Sequence, residues 1–285
     1  MKKLMITTDF SANARHAAEY GYQLAKQLKA GIFLCNSITI PVDSSMSGMV
    51  VWPQMENDVL IDDSVEELKC LKAHLEHTDH TETFRPPVDY LNETGTVRQT
   101  VNEAVVNQKI DLIIVGPHHA DGLATLLLGN HTNELIEFCI KPVLIIPRAA
   151  EFNAIKKIAF AIDFEHPEND LEQIYKLIEF ARPLDAEILL THVDQGEHHF
   201  GNYQKCIGNF LTEVSNKANY PKIYYRVVKK DEIETGLDWL CKHGQVDMLA
   251  MVHRKHDFLD SILKGSHTKK MAGHITIPLL VFPGK

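Results

Sequence analysis

The most constraining feature of this chain is an internal repeat. Residues 111–147 have the sequence DLIIVGPHHADGLATLLLGNHTNELIEFCIKPVLIIP, and residues 247–283 have the sequence DMLAMVHRKHDFLDSILKGSHTKKMAGHITIPLLVFP. The second segment follows the first at a constant offset of 136 residues, with no gap. Each half also begins with a nine-residue segment that ends in Asp-Phe, KKLMITTDF and KKIAFAIDF. A repeat unit of this length is a domain, so we expect two copies of one fold.

The composition is typical of a globular protein, with 45% hydrophobic and 24% charged residues. No apolar run approaches the ~18–20 residues that a membrane-spanning helix needs, and no small-residue cleavage site follows the first apolar stretch. We therefore expect a cytoplasmic protein that does not enter a membrane. The net charge of −9 argues against nucleic acid as the main partner, because phosphate binding needs a basic face.

The five cysteines form neither a metal pattern nor a disulfide framework. They are odd in number and never spaced C-x-x-C. Cys35, Cys139 and Cys241 lie inside apolar periodic segments, so we interpret them as small buried hydrophobic side chains.

Strand and helix patterns alternate along both halves. Short apolar runs with β-branched residues predict strands, and apolar residues at a 3.6-residue period predict helices. The run DLIIVG is apolar without alternation, as in a parallel strand that is covered on both faces. The alternation predicts an α/β fold with right-handed crossovers. In the first half we predict strands at 3–8, 31–38, 87–93, 111–116 and 141–147, and in the second half at 156–163, 186–193, 222–228, 247–252 and 277–282, with helices between them.

The two halves differ mainly between the second strand and the third helix. Before this point, corresponding residues are 156 positions apart, as Ala30 and Ala186 are, and after it they are 136 positions apart. The first half therefore carries about 20 more residues here. These include segment 39–58, which contains Pro, Ser and Met and which we expect to form an exposed loop or flap.

A ligand site is expected at the carboxyl ends of the strands, where an open parallel sheet binds its ligands. Asp9 and the loop after Val115 fall at this edge in the first half. Gly116, at the end of the fourth strand, lets a ligand approach the backbone closely. Gly129 and Asn130 open the next helix, whose free N–H groups attract an anion.

The pattern of these residues resembles that of the universal stress protein family. The resemblance occurs once in each half and so extends over nearly the whole chain. The nucleotide-binding members carry G-x-x-G-x9-G-[S/T], an Asp that ends the first strand, and often L-H-V after the second strand. The first half has Gly116-Pro117-His118-His119, nine residues, and then Gly129-Asn130. Histidine therefore replaces the second glycine of the motif, and asparagine replaces the Ser or Thr.

The second half departs from the motif in a different way. It has Val252-His253-Arg254-Lys255, nine residues, and then Gly265-Ser266, so both early glycines are missing and the late pair is intact. Asp163 and His192-Val193 match the family's other two features.

The resemblance implies two tandem Rossmann-like domains of the adenine nucleotide alpha hydrolase-like type. Each would have a five-stranded parallel sheet with helices on both faces, and we place the domains at residues 1–150 and 151–285. It also implies ATP or another adenine nucleotide as the ligand, bound weakly or in one half only, with slow and incidental hydrolysis. The nucleotide-binding residues implied are Asp9, Gly116, His119, Gly129, Asn130, Asp163, Val193, Gly265 and Ser266.

Position 119 is the departure with the largest expected effect on a nucleotide. A neutral imidazole there would block the phosphates, whereas a protonated one would pair with them. In the second half Val252 removes the close approach to the backbone, so we favour the first half for any nucleotide. The basic residues near the second loop form either a solvated surface or a less selective anion site; they are Arg254, Lys255, Lys264, Lys269 and Lys270.

The sixteen histidines suggest a weaker alternative, a metal site. His74, His77 and His80 are spaced by three along a predicted helix, and His118, His119 and His131 are close together in sequence. No cysteine or carboxylate in a firm ligand pattern completes either set, so no metal site is assigned.

Signatures of other α/β enzymes are missing from the sequence. It contains no G-x-x-x-x-G-K-[ST], no G-x-G-x-x-G and no G-x-S-x-G, and no pattern indicates a nucleophile beside a base. We therefore expect a non-enzymatic stress-response protein. The alternatives are a ligand-free interaction protein, which uses its surface or segment 39–58, and a histidine-based metal binder. The family pairs its last strands across a two-fold axis, which implies an intrachain pseudo-dimer here and leaves a further homodimer open.

Overall fold

The computed structural model describes residues 3–39, 53–117, 130–162, 167–196, 208, 210–214, 217–253 and 275–284. Its strands are β1 (Lys3–Thr7), β2 (Gly31–Ile38), β3 (Val88–Thr94), β4 (Leu112–Val115), β5 (Val143–Ile145), β6 (Lys157–Ala161), β7 (Glu187–Asp194), β8 (Ile223–Lys229), β9 (Met248–His253) and β10 (Leu279–Pro283). Its α-helices include α1 (Ala12–Leu28), α2 (Pro53–His77), α3 (Val97–Asn107), α4 (Asn130–Phe138), α5 (Pro167–Ala181) and α6 (Ile233–His243), and a short 3-10 helix spans Arg182–Leu184.

Within the described residues, ten strands form one sheet in the order β3-β2-β1-β4-β5-β10-β9-β6-β7-β8. All neighbours inside each half are parallel, and β5 and β10 pair antiparallel where the halves meet. This arrangement confirms the predicted α/β class and the pairing of the two last strands. The pairing also covers two apolar strand edges that would otherwise be open to aggregation.

The strand register repeats between the halves as the sequence does. Lys3 lies opposite Gly31 where β1 meets β2, and the corresponding residues Lys157 and Glu187 lie opposite each other where β6 meets β7. Because a slip of one residue would turn every side chain to the other face of the sheet, the shared register shows that both halves bury the same faces.

The repeated aspartate at the start of the fourth strand has a structural role in both halves. The Oδ2 atom of Asp111 accepts a hydrogen bond from the backbone N–H of Lys3 at 3.2 Å. The Oδ2 atom of Asp247 accepts from the N–H groups of Lys156 and Lys157, both at 2.8 Å. Each aspartate therefore binds backbone donors at the beginning of the neighbouring strand, which explains why the repeat preserves it.

Two hydrophobic clusters cover the two faces of the sheet. Successive residues of β4 alternate between them, since Leu112 belongs to the cluster under α1 and Ile113 to the cluster under α3. Ser11 caps the start of helix α1, because its hydroxyl accepts a hydrogen bond from the N–H of Ala14 at 3.2 Å. No helix among the described residues is long and apolar enough to cross a membrane.

Two details of the sequence prediction are corrected by the structure. Residues 53–58 were expected in a loop, but α2 already begins at Pro53, a residue that suits the first turn of a helix because its missing N–H is not needed there. The rest of the expected flap, 40–52, lies outside the described residues. Helix α2 ends at His77, so His80 does not share a helical face with His74.

The predicted burial of three cysteines is confirmed. Cys35, Cys139 and Cys241 are free and buried, and Cys70 is exposed. Burial raises the pKa of each of the three thiols to about 12, so they stay protonated at neutral pH.

Candidate functional site

A cleft of about 130 Å³ opens at the carboxyl ends of β1, β2 and β4. It brings together Asp9, Gly116 and the first turn of α4, which the sequence had placed at this edge of the sheet. Helix α3 also contributes to the cleft through Val97 and Val101. The lining residues are Thr7, Thr8, Asp9, Ala14, Cys35, Asn36, Ser37, Thr39, Val97, Val101, Val115, Gly116, His131, Thr132 and Leu135.

Asp9 lies in the tight turn between β1 and α1. Its Oδ1 atom accepts a hydrogen bond from the N–H of Ser11 at 3.0 Å, and Phe10 between them has a left-handed φ of 62°. The hydroxyl of Thr8 accepts from the N–H of Phe10 at 3.0 Å, which holds this unusual backbone in place. The carboxylate is thereby fixed at the mouth of the cleft.

Gly116 is needed for contact with the protein itself. A Cβ atom at this position would lie 2.5 Å from the carbonyl oxygen of Asn13 and 3.1 Å from the backbone nitrogen of Ala14. The side-chain amide of Asn13 also donates to the carbonyl of Pro117 at 3.0 Å. The first turn of α1 thus lies directly against the end of β4, and this contact requires glycine whether or not a ligand is bound.

A buried polar network supports the floor of the cleft. Asn36 donates from Nδ2 to the carbonyl of Thr8 at 2.7 Å, and its Oδ1 atom lies 2.9 Å from the hydroxyl of Ser64. That hydroxyl also lies 2.9 Å from Oδ1 of Asn92, whose Nδ2 donates to the carbonyl of Ile61 at 3.1 Å. The ends of β1, β2 and β3 are therefore linked to α2 by side chains that are withdrawn from solvent.

The second half repeats this floor with a different side chain. His192, the counterpart of Asn36, has its Nδ1 atom 3.0 Å from the carbonyl oxygen of Ile162, the counterpart of Thr8. A carbonyl oxygen can only accept, so Nδ1 of His192 carries the proton. The L-H-V histidine thus links the ends of two neighbouring strands, as Asn36 does.

Val193 packs into the core of the second half. Its side chain belongs to the hydrophobic cluster under α6, and a Cβ atom on Gly236 would lie 2.6 Å from its Cγ1 atom. The counterparts in the first half are Ser37 and Thr100, whose hydroxyls lie 3.2 Å apart. A close-packed pair in one half therefore replaces a hydrogen-bonded pair in the other. The structure shows no ligand role for the Val193 side chain, and its predicted nucleotide contact stays a prediction.

The second half also differs at the end of its fourth strand. Val252 occupies the position of Gly116 and is buried, and β9 continues through His253, opposite Phe282 and Pro283 of β10. Strand β4 ends at Val115, one residue before the glycine. Position 252 therefore carries a buried side chain where position 116 has none.

The first turn of α4 contributes Thr132 and His131 to the cleft. Thr132 is buried against the cleft wall, whereas His131 is exposed and lies 3.9 Å from a carboxylate oxygen of Glu134. Cys35 also lines the cleft, and its raised pKa leaves a protonated thiol with little nucleophilic character.

The structure describes only some of the residues that the sequence predicted for the site. Asp9 and Gly116 share the cleft, and the backbone of Asn130 begins α4 beside it. Asn36, Ser37 and Thr132 also line the cleft and were not predicted from the sequence, although the repeat aligns Thr132 with Thr268 and Asn36 with His192. Those outside the described residues are His119, Gly129, Asp163, Gly265 and Ser266.

Histidine clusters were the predicted metal candidates. Among the residues that the structure describes, no group of three His, Cys, Asp or Glu side chains is arranged to hold a metal ion. His74 instead lies 2.8 Å from a carboxylate oxygen of Glu19, across α1 and α2. His118 and His119 lie outside the described part of the chain.

The sequence of the first half matches a known protein family. A sequence model of the universal stress protein family matches residues 1–147. Universal stress protein MJ0531 of Methanocaldococcus jannaschii is 25% identical over 150 residues, which are 52% of this chain and 82% of that protein.

The fold of the whole chain also recurs in solved structures. A universal stress protein from Archaeoglobus fulgidus aligns over 99% of this chain and 98% of its own, with a TM-score of 0.65 and 13% identity. The cytoplasmic domain of a prokaryotic cation chloride cotransporter aligns over 98% and 94%, with a TM-score of 0.53 and 9% identity. These likenesses show that the fold of the whole chain is shared. The family assignment rests on the sequence match over residues 1–147. The chain belongs to the universal stress protein family.

Proposed function

We propose that this chain is a cytoplasmic stress-response protein that binds one adenine nucleotide, such as ATP, in the cleft of its first half. The observation that carries the proposal is the meeting of Asp9, Gly116 and the first turn of α4 around one cleft. We also propose that the chain divides into domains at residue 150, after β5 and before β6.

The chemistry of the cleft suits a nucleotide that is bound without being cleaved. The carboxylate of Asp9 can accept hydrogen bonds from a ribose hydroxyl or an amino group, and the start of α4 offers N–H groups to phosphate oxygens. Among the described lining residues, the thiol of Cys35 is held protonated by its raised pKa, and His131 is exposed beside Glu134. We therefore propose that any hydrolysis is slow and incidental.

A single site per chain follows from the difference between Gly116 and Val252. Val252 is buried at the end of β9, where the first half has a glycine packed against the backbone of Asn13, so the strand end that borders the cleft is built differently in the second half. Isothermal titration calorimetry of the intact chain with ATP should therefore give a stoichiometry of at most one. Two equal sites would reject the asymmetric assignment.

A matched pair of variants tests which half binds. Asp9→Asn should weaken ATP binding about tenfold, which corresponds to ~1.4 kcal/mol, because the amide loses one acceptor and the negative charge. The counterpart Asp163→Asn has the same chemistry in the other half and should leave the affinity within about twofold. If Asp163→Asn causes the larger loss, the site belongs to the second half.

Position 119 provides an independent test. His119→Gly should strengthen ATP binding at pH 8 about tenfold, because it removes a neutral imidazole from the position that the family keeps as glycine. The gain should shrink near pH 6, where the native histidine is charged and attracts phosphate. If ATP binding is undetectable at both pH values in both proteins, the nucleotide proposal fails and a ligand-free interaction protein is favoured.

A further inference from the structure

The ten-stranded sheet has two edge strands, β3 in the first half and β8 in the second. Within the described residues, β3 pairs with β2 alone and β8 pairs with β7 alone. An edge strand presents a row of N–H and C=O groups to which another chain can add a strand. Strand β8 also presents large side chains to solvent, since Tyr224 is 49% exposed and Val227 is 39% exposed.

The two edge strands carry opposite charges. Strand β3 contains Asp89 and Glu93 and no basic residue, whereas β8 contains Arg226 and Lys229 and no acidic residue. Asp89, Glu93 and Arg226 are exposed, and none of these three has a salt-bridge partner among the described residues. The repeat has therefore produced an acidic edge and a basic edge from one ancestral strand.

These three charged side chains lie on the same face of the sheet. Leu91 packs against the hydrophobic cluster under α3 and α6, and Val228 belongs to that cluster. Because side chains alternate along a strand, Asp89 and Glu93 share the face of Leu91, and Arg226 shares the face of Val228.

Backbone hydrogen bonds show which residues of β3 face the free edge. The N–H of Ile32 donates to the carbonyl of Pro87, and the N–H of Gly95 donates to the carbonyl of Ile38. The backbone groups of the odd-numbered residues therefore point to β2, and those of residues 88, 90, 92 and 94 point outward.

The same alternation holds in β8. The N–H of Ile188 donates to the carbonyl of Lys222, and the N–H of Lys230 donates to the carbonyl of Asp194. The even-numbered residues of β8 therefore point to β7, and residues 223, 225, 227 and 229 point outward.

A second copy of the chain in the same orientation would bring its β3 antiparallel to β8. All strands within each half are parallel and the halves meet antiparallel, so β3 and β8 run in opposite directions. We propose that β8 of one chain pairs with β3 of a second copy, from Ile223 opposite Thr94 to Lys229 opposite Val88. In this register both strands overlap fully, and every outward-pointing residue meets an outward-pointing residue.

The side chains of this register are complementary. Arg226 lies opposite Leu91 and diagonally between Asp89 and Glu93, within reach of both carboxylates. On the other face, Val227 lies opposite Tyr90, a pair of a β-branched and an aromatic residue that stabilises antiparallel strands.

Pairing of like edges is disfavoured by charge. Two β8 strands related by a two-fold axis would place Arg226 opposite Arg226, and two β3 strands would place Asp89 opposite Glu93. Like charges directly opposite each other destabilise a strand pair. The contact is therefore heterologous and adds copies in one direction, with an affinity that is low because a single strand pair buries little surface.

Sedimentation velocity of the intact chain tests the proposal. Between about 10 µM and about 1 mM protein, the native chain should associate reversibly beyond a dimer, with a Kd on the order of 0.1–1 mM. Because the contact depends on exposed charges, a rise in salt from about 0.05 M to about 0.5 M should weaken it.

Two charge-reversal variants identify the strands. Arg226→Glu, and separately the double change Asp89→Lys and Glu93→Lys, should each weaken association about tenfold or more, because like charges then meet across the contact. An equimolar mixture of the two variants should restore association, since each reversed edge then meets an edge of opposite charge. Arg148→Glu reverses an exposed arginine that follows β5 in the middle of the sheet, and it should leave the Kd within about twofold.

Three results would overturn the proposal. The first is a native chain that stays monomeric at about 1 mM. The second is association that stops at a dimer, because a two-fold contact closes whereas the proposed contact does not. The third is a mixture of the two variants that associates no better than either alone, with thermal melting used to show that both are folded.

Discussion

Leu144 of β5 lies opposite Leu280 of β10, and these two residues are also each other's counterparts in the repeat, 136 positions apart. A residue that pairs with its own counterpart lies on the axis that relates the two halves. Both side chains are buried in the same core cluster. The pseudo-two-fold axis of the chain therefore passes through this pair of leucines.

Leu144→Ala and Leu280→Ala should each lower the free energy of unfolding by about 2–4 kcal/mol, because each leaves a cavity in a closely packed core. The double variant should lose about 0.5 kcal/mol or more less unfolding free energy than the two single variants lose together, since the two side chains face each other. Urea denaturation measures all three values. Val106→Ala is the control, because Val106 is 63% exposed and its loss should cost under about 0.5 kcal/mol. Strict additivity would show that the leucines do not share one packing environment.

Gly236→Ala tests the close-packed pair of the second half. An alanine in an exposed helix normally adds stability, by up to about 1 kcal/mol over glycine. Here the new methyl group meets Val193 at 2.6 Å, so we expect a loss of about 1–3 kcal/mol. In the double variant, Val193→Ala removes the clashing methyl groups and should recover most of the lost stability. A rise in thermal stability for Gly236→Ala alone would contradict the packing described for this pair.

Gly116→Ala should disturb both the fold and the cleft. The added Cβ would meet backbone atoms of Asn13, which cannot rotate away, so α1 must shift at a cost of about 1–3 kcal/mol. Because Asp9 lies in the turn before α1, the same shift should weaken ATP binding in calorimetry. Gly208→Ala is a matched control, since no atom lies within 4 Å of a Cβ there. Equal thermal stability of the two variants would exclude the close contact at Gly116.

Asp79 supplies a prediction about pH. Its carboxylate accepts from Lys26 at 2.6 Å and from the Thr81 hydroxyl at 2.7 Å, and these bonds hold the pKa of Asp79 well below its ordinary range. A lowered folded-state pKa stabilises the protein above the unfolded-state pKa near 3.8, and the contribution is lost as the pH falls toward the folded-state value.

Asp79→Asn should accordingly cost about 2–4 kcal/mol at pH 7, because Lys26 keeps its charge in a nearly buried position. The difference in unfolding free energy between the variant and the native protein should become smaller below about pH 4, where the stabilisation from the native carboxylate begins to be lost. Urea denaturation at pH 7 and pH 3 measures both. Glu66→Gln removes the partner of Lys69 in an exposed pair and should cost under about 0.5 kcal/mol. A constant difference across this pH range would mean that Asp79 does not stabilise the fold through its charge.

The candidate site was predictable where it depends on local sequence. Asp9 after a strand and Gly116 before a loop are visible in the order of residues, and the repeat locates the helix that follows. The partnership of Ser37 with Thr100 was not predictable, because it joins a strand to a helix far along the chain. The same holds for Asn36 and its link to Ser64, which depends on how α2 lies over the sheet.

The sequence by itself determined the duplication, the alternation of strands and helices and the edge of the sheet where a ligand would bind, because these depend on periodicity and on residues close in the chain. Only the tertiary structure decided why Gly116 must be glycine, since the obstructing carbonyl belongs to Asn13 in another element. It also decided that residues 148–156 pack against α1, where the ring of Phe152 meets that of Tyr20. Both contacts join residues that are distant in the chain, so packing in three dimensions determines them and the order of residues does not.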